Sequence, residues 1–141
     1  MTLYAESSAV LSWLFGEASA PSVQQALAAA DGVVTSELTL IECDRAILRR
    51  RASGGLNASA AAALQRDLAE AASRWAFEAI GPAVIVRARA PFADDHLRSM
   101  DAIHLATAVV LRAGPGVLDV LTLDERVRAN AVALGFRVVP D

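Results

Sequence analysis

A chain of 141 residues can bury one sizeable core and is too short for two ordinary domains, so residues 1–141 are read as a single domain. Hydrophobic residues make up 55% of it, yet no apolar run reaches the roughly 18 to 20 residues that a bilayer demands, which excludes a helical membrane span. The net charge of −3 excludes attraction to nucleic acid through overall charge and leaves only local charge to provide it.

Thr2 to Ala5 is a strand candidate, and the hydroxyls of Ser7 and Ser8 are suited to start a helix that runs through Phe15 and stops at Gly16. Ser19-Ala20-Pro21 opens a second helix to about Ala30, with proline in its first turn. Asp31-Gly32 turns into a buried strand at Val33-Val34 that ends at Thr35-Ser36. A long helix follows from about Glu37 to Arg51, broken by Ser53-Gly54-Gly55, and Asn57 begins an alanine-rich helix to about Arg74. Trp75 to Ile80 reads as a strand. Ala83 to Ala90 is ambiguous, because Val84-Ile85-Val86 has strand propensity while Gly81-Pro82 favours a helix start. After a loop from Pro91 to Arg98, Asp101 to Arg112 is a helix, Gly114-Pro115-Gly116 a loop and Val117 to Leu121 a strand. Thr122 with Glu125 three residues on has the form of a capping box, opening a helix to Leu134 before a strand at Phe136 to Val139. Strands alternate with helices, which marks an α/β sandwich around a mostly parallel sheet.

Four carboxylates stand at the junctions of this pattern: Glu6, Glu42, Asp101 and Asp124. In a parallel sheet, ligands bind beyond the carboxyl ends of the strands, and Glu6 and Asp124 fall just there. Each acid alone has an ordinary role as a cap or a solvated side chain; together they read as a site for a hard divalent cation, Mg²⁺ or Mn²⁺. Crowded carboxylates repel one another unless a cation joins them. Phosphodiester hydrolysis uses such a site, since the ion lowers the pKa of a water and neutralises charge on the phosphate. All 13 basic residues are arginine. Arg45, Arg49, Arg50 and Arg51, Arg87 and Arg89, and Arg126 and Arg128 form clusters able to meet phosphate at the rim or to pair with nearby acids.

Tyr4-Ala5-Glu6-Ser7-Ser8-Ala9-Val10 with Trp13 and Gly16-Glu17 resembles the opening motif of PIN-domain ribonucleases. Thr35 through Glu42 resembles their second motif, Met100-Asp101-Ala102-Ile103-His104-Leu105-Ala106-Thr107-Ala108 their third, and Leu121 through Arg126 followed by Ala133-Leu134-Gly135-Phe136 their fourth. Order and spacing agree along essentially the whole chain. The Asp-Ala-Ile-His-Leu-Ala signature is similar to that of the VapC-like toxins of toxin–antitoxin pairs. The resemblance implies a PIN-like three-layer α/β/α sandwich, a Mg²⁺- or Mn²⁺-dependent endoribonuclease acting on tRNA or rRNA, a homodimer, and a small antitoxin partner. It carries Glu42, Asp101 and Asp124 over as the family's acids; Glu6 stands where the family has aspartate.

Of the remaining residues, His104 is expected to pack or make a structural hydrogen bond, Ser8 and Thr122 to cap helices, and Glu125 to complete the capping box. Glu37 and Asp95 are expected to face solvent, and Trp13, Phe15 and Trp75 to lie in the core or a dimer contact. Cys43, the one cysteine, belongs to the core. The start of the chain lacks a basic n-region, so a cytoplasmic location without a cleaved signal is expected. A phospho-receiver or a phosphate-loop ATPase needs a lysine, and the chain has none. The competing reading is a PIN fold with weak or no catalysis, serving as a binding or assembly module, for which Glu6 is the one supporting feature.

Overall fold

The computed structural model describes residues 1–114 and 116–141. The chain runs β1 (Thr2–Ala5), α1 (Ser7–Phe15), α2 (Ala20–Ala29), β2 (Gly32–Ser36), α3 (Glu37–Ala52), α4 (Ala58–Ala72), β3 (Ala76–Glu78), α5 (Pro82–Ala88), α6 (Ser99–Arg112), β4 (Leu118–Leu121), α7 (Glu125–Ala133) and β5 (Val138–Val139). The five strands form a parallel sheet in the order β3-β2-β1-β4-β5. Successive side chains of a strand point to opposite faces, and β1 illustrates this. Leu3 and Ala5 pack with Val10 of α1, Val23 of α2, Ile47 of α3 and Leu68 of α4, whereas Tyr4 packs on the other face with Leu105 of α6 and Val127 of α7. Two cores separated by the sheet make the expected α/β/α sandwich.

Register then positions the cleft. Ala5 lies opposite Leu121, and the Glu6 amide donates to the Leu121 carbonyl at 2.9 Å. Glu6 and Thr122 are consequently neighbours just past two paired strand ends. Because β2 and β4 flank β1 on opposite sides, this is also the point where the strand order reverses.

Most elements match the sequence expectation, and the departures have local causes. The Ala83 to Ala90 ambiguity resolves as helix: Pro82 sits in the first turn, the Ile85 amide donates to the Gly81 carbonyl at 3.0 Å, and only Val84 of the three apolar residues is buried. Strand alternation would have buried Val86 as well. β3 and β5 are shorter than expected because each pairs on one side only, along the few residues that β2 and β4 offer. Gly16, at φ 62°, ends α1 as expected, and its neighbour Glu17 donates to the Ser12 carbonyl at 3.0 Å. Pro115 of the expected Gly114-Pro115-Gly116 loop lies outside the described residues.

Two helix starts differ in chemistry. The cap of α1 is Glu6 rather than Ser7 or Ser8, and the cap of α7 is Asp124 rather than Thr122. Ser7 is already helical, so its hydroxyl lies inside the first turn. α7 begins at Glu125, two residues too late for a Thr122 capping box, and Glu125 is exposed.

Candidate active site

Three of the four acids sit at helix N-termini, where unpaired amides and the helix dipole favour negative charge. Glu6 caps α1, Asp124 caps α7, and Asp101 lies in the first turn of α6. Glu42 comes from the second turn of α3. Their environments differ sharply.

Glu6 is only 3% exposed, and its carboxylate is surrounded by donors. Oε1 accepts from the Ser7 hydroxyl at 2.7 Å and the Ser8 amide at 3.1 Å; Oε2 accepts from the Thr122 hydroxyl at 2.7 Å and from the Ser8 hydroxyl. Ser8 Oγ in turn accepts from the Leu123 amide, and Thr122 Oγ1 from the Asp124 amide. The hydroxyls expected as helix caps thus tie Glu6 to the β4–α7 junction. Glutamate, longer than aspartate by one methylene, is accommodated by folding back over its own helix start.

Glu42 is matched by a histidine. His104 Nε2 lies 2.5 Å from Glu42 Oε1 and 3.9 Å from Glu6 Oε1, so this ring sits between two of the acids. Its Nδ1 is 2.7 Å from the Tyr4 hydroxyl. His104 therefore makes the structural hydrogen bond expected of it. Burial, and then the charge of Glu6, push the Tyr4 phenol well above its ordinary range, so it stays a hydroxyl. Burial likewise pushes the Cys43 thiol up to about 12, aided by Glu42, which leaves it inert in the core.

The two aspartates are less matched. Asp124 uses Oδ1 alone for the Arg126 and Val127 amides, both at 2.9 Å. Asp101 has a buried Oδ2 with no hydrogen-bond partner among the described residues, and its nearest cation, Arg98, stands at 3.9 Å. Burial and the adjacent charge of Asp124 push the Asp101 carboxyl above the ordinary aspartate range, against the Arg98 backbone and guanidinium, which pull it down.

Such a donor set fits a hard divalent cation. It consists of carboxylate oxygens, one of them buried and unpartnered, and the charges of Asp101, Asp124 and Glu6 act on one another. Among the described residues, no three His, Cys, Asp or Glu side chains are gathered closely enough to hold an ion outright. Glu6 and Glu42 have turned toward protein donors, which relieves much of the crowding that the sequence led one to attribute to a cation alone. Magnesium needs only one or two carboxylates and keeps several waters, so the two aspartates satisfy its minimum.

The arginine clusters divide. Arg50 pairs with Glu17 at 3.5 Å and lies over the Phe15 ring, Arg87 lies over Phe92, and Arg128 donates to the carbonyls of Thr122 and Pro140, all structural uses. Arg45, Arg98 and Arg126 are exposed beside Glu42, Asp101 and Asp124 in sequence. Glu37 and Asp95 face solvent as expected, while Trp13, Phe15 and Trp75 pack partly buried against the α1–α4 core. Sequence reading missed Tyr4 as the partner of His104 and Ser7 as a partner of Glu6. Strand parity could have found Tyr4, which lies on the face of β1 opposite Leu3 and Ala5, the face that α6 covers. It also missed Asp119, a buried acid of β4 whose Oδ2 is 3.4 Å from Arg137 and has no hydrogen bond among the described residues.

No helix among the described residues is long and apolar enough to cross a membrane. No curated protein matches the chain. By fold it is similar to a chain of a toxin–antitoxin complex from Klebsiella pneumoniae, with a TM-score of 0.66 and 20% identity over 99% of this chain and 97% of that one. It is equally similar to Mycobacterium tuberculosis VapC20, a sarcin-ricin loop cleaving toxin, with a TM-score of 0.65 and 19% identity over 99% of both chains. Residues 3–133 match the PIN domain, a span that runs from β1 through α7 and includes all four acids, and the chain belongs to that family.

Proposed function

We propose that this protein is a divalent-metal-dependent endoribonuclease, the toxin of a toxin–antitoxin pair, restrained by a small antitoxin. The observation that carries the reading is the unpartnered Asp101 oxygen, buried beside Asp124 at the carboxyl ends of the strands. Membership of the PIN family supports it, as does likeness in fold to two toxin structures. Asp101 and Asp124 would hold Mg²⁺ or Mn²⁺, with Glu42 and Glu6 as further oxygen donors, directly or through water. When bound, the ion supplies an activated water and neutralises charge building on the phosphate. The protein's own part is to orient these carboxylates and to leave Asp101 Oδ2 without a hydrogen-bond donor among the described residues until a cation arrives. Arg45, Arg98 and Arg126 attract the RNA backbone at the rim.

Self-association is part of the proposal. Ile41, Ile85, Val86 and Met100 are exposed apolar residues of α3, α5 and α6, the composition of a surface that pairs with a second copy. A strict monomer in sedimentation at micromolar concentration would count against it.

The test is cleavage of total RNA by purified protein with Mn²⁺ or Mg²⁺. EDTA should abolish it, and products should carry 5′-phosphate and 3′-hydroxyl ends because water is the nucleophile. Ends with 2′,3′-cyclic phosphate, or cleavage indifferent to EDTA, would overturn the metal reading. A second reading, a PIN module without catalysis, is favoured by Glu6, whose two oxygens already accept from four donors. Complete inertness of the wild type with recovery in Glu6→Asp would establish that reading instead.

A further inference from the structure

Tyr4 and His104 are each only 1% exposed, and both lie beneath the carboxylates without belonging to them. His104 is one helical turn from Asp101 on α6, so the two share a face, and its ring reaches across to Glu42 on α3. An ionised carboxylate can only accept, so the 2.5 Å contact requires the proton on Nε2. Nδ1 meets the Tyr4 hydroxyl at 2.7 Å, so both ring nitrogens have a partner.

We propose that Tyr4 and His104 form a positioning pair for Glu42: the Tyr4 hydroxyl anchors the His104 ring from below, and the Nε2 proton restrains Glu42 Oε1, leaving Oε2 as the oxygen that meets a divalent ion or its waters. The inference rests on the nuclease reading for its consequence and on geometry alone for the two contacts of the ring. Glutamate at mid-helix has a long, mobile side chain. A donor buried under one oxygen limits Glu42 to a single-oxygen contact and sets its direction before any ion binds, which is how outer partners tune metal ligands. Ser7 Oγ, 3.4 Å from Nε2, links the same ring to the Glu6 cap.

Nitrogen-15 NMR of the wild type without metal should find a proton on His104 Nε2, held in a hydrogen bond that Tyr4→Phe weakens by freeing the ring. In Mn²⁺ titrations of RNA cleavage, His104→Leu should raise the half-saturating Mn²⁺ concentration by roughly 10- to 100-fold with little change in the KM for RNA. His104→Gln, which keeps an N–H donor, should restore most of the loss. In a Glu42→Gln background, His104→Leu should add nothing further. Should His104→Leu fail to fold, the wild-type Nε2 proton and the Tyr4→Phe titration decide the matter. An RNA-inert wild type would defeat the nuclease reading alone, and calorimetric Mn²⁺ titration would then compare the same variants. Absence of a proton on His104 Nε2 in the wild type, or wild-type Mn²⁺ dependence in folded His104→Leu and Tyr4→Phe, would overturn the proposal.

Discussion

The two sides of the cleft treat negative charge in opposite ways. At the β1 end, Glu6 is enclosed by the hydroxyls of Ser7, Ser8 and Thr122 and by a helix-start amide, so its charge is balanced by the fold itself. At the α6 end, Asp101 has a buried oxygen with no donor among the described residues and faces the like charge of Asp124. A carboxylate matched by the protein stabilises the fold; one left unmatched disfavours it until something positive binds. On the proposed nuclease reading, stability rests mainly on the matched acid and metal binding on the unmatched one, and substitutions should separate them.

The largest effect should come from the unmatched side. Asp101→Asn is expected to reduce metal-dependent cleavage by at least about a hundredfold, read as kcat/KM at saturating Mn²⁺. The same substitution should stabilise the protein without metal. Because the folded pKa of Asp101 is raised, the native state binds its proton more tightly than the unfolded chain does. Stability from this group is therefore greatest below the unfolded value of about 3.9 and is lost as pH rises from there through the raised folded value. Melting of Asp101→Asn should exceed that of wild type at neutral pH and converge with it in acid. Equal melting temperatures at pH 7 would show that Asp101 is not under strain.

Asp124 combines both roles, and two substitutions divide them. Asp124→Asn keeps a cap on α7 and should lose activity to a similar degree with stability nearly unchanged, whereas Asp124→Ala should also lose about 1 kcal/mol of folding stability. Denaturant titration of the pair separates cap from ligand.

On the matched side, Glu6→Ala orphans three hydroxyls and the α1 cap, with an expected loss of about 2–4 kcal/mol and of activity. Glu6→Asp should keep cleavage within about tenfold or raise it, since one shifted ligand matters less than one removed. Wild-type cleavage by Glu6→Ala would make Glu6 a purely structural cap. The smallest effect belongs to the rim: Arg98→Gln should raise KM a few-fold and flatten the salt dependence of RNA binding by up to about one unit of slope.

How far the sequence disclosed this arrangement varies with the physics involved. The helices and parallel sheet were legible because glycine, proline and apolar periodicity act locally, as at Gly16 and Pro82. The four acids were legible as a set because Glu6, Asp101 and Asp124 interrupt apolar segments at strand or helix ends, and Glu42, inside α3, closes the Thr35 to Glu42 motif. What each acid touches was not. Serine and threonine beside an N-terminus look like caps, and only the Ala5–Leu121 register turns Thr122 toward Glu6 instead. The Tyr4–His104–Glu42 chain joins β1, α6 and α3, partners separated by up to a hundred residues, and no local pattern encodes such a meeting.

The most direct test of the division between matched and unmatched acids is a Mn²⁺ titration of wild type and Asp101→Asn, followed in parallel by melting temperature without RNA and by single-turnover RNA cleavage. The account predicts that Mn²⁺ raises the wild-type melting temperature over the same concentration range that activates cleavage, and that Asp101→Asn, though folded, shows neither response. A variant that is stabilised by Mn²⁺ and cleaves RNA as the wild type does would contradict it.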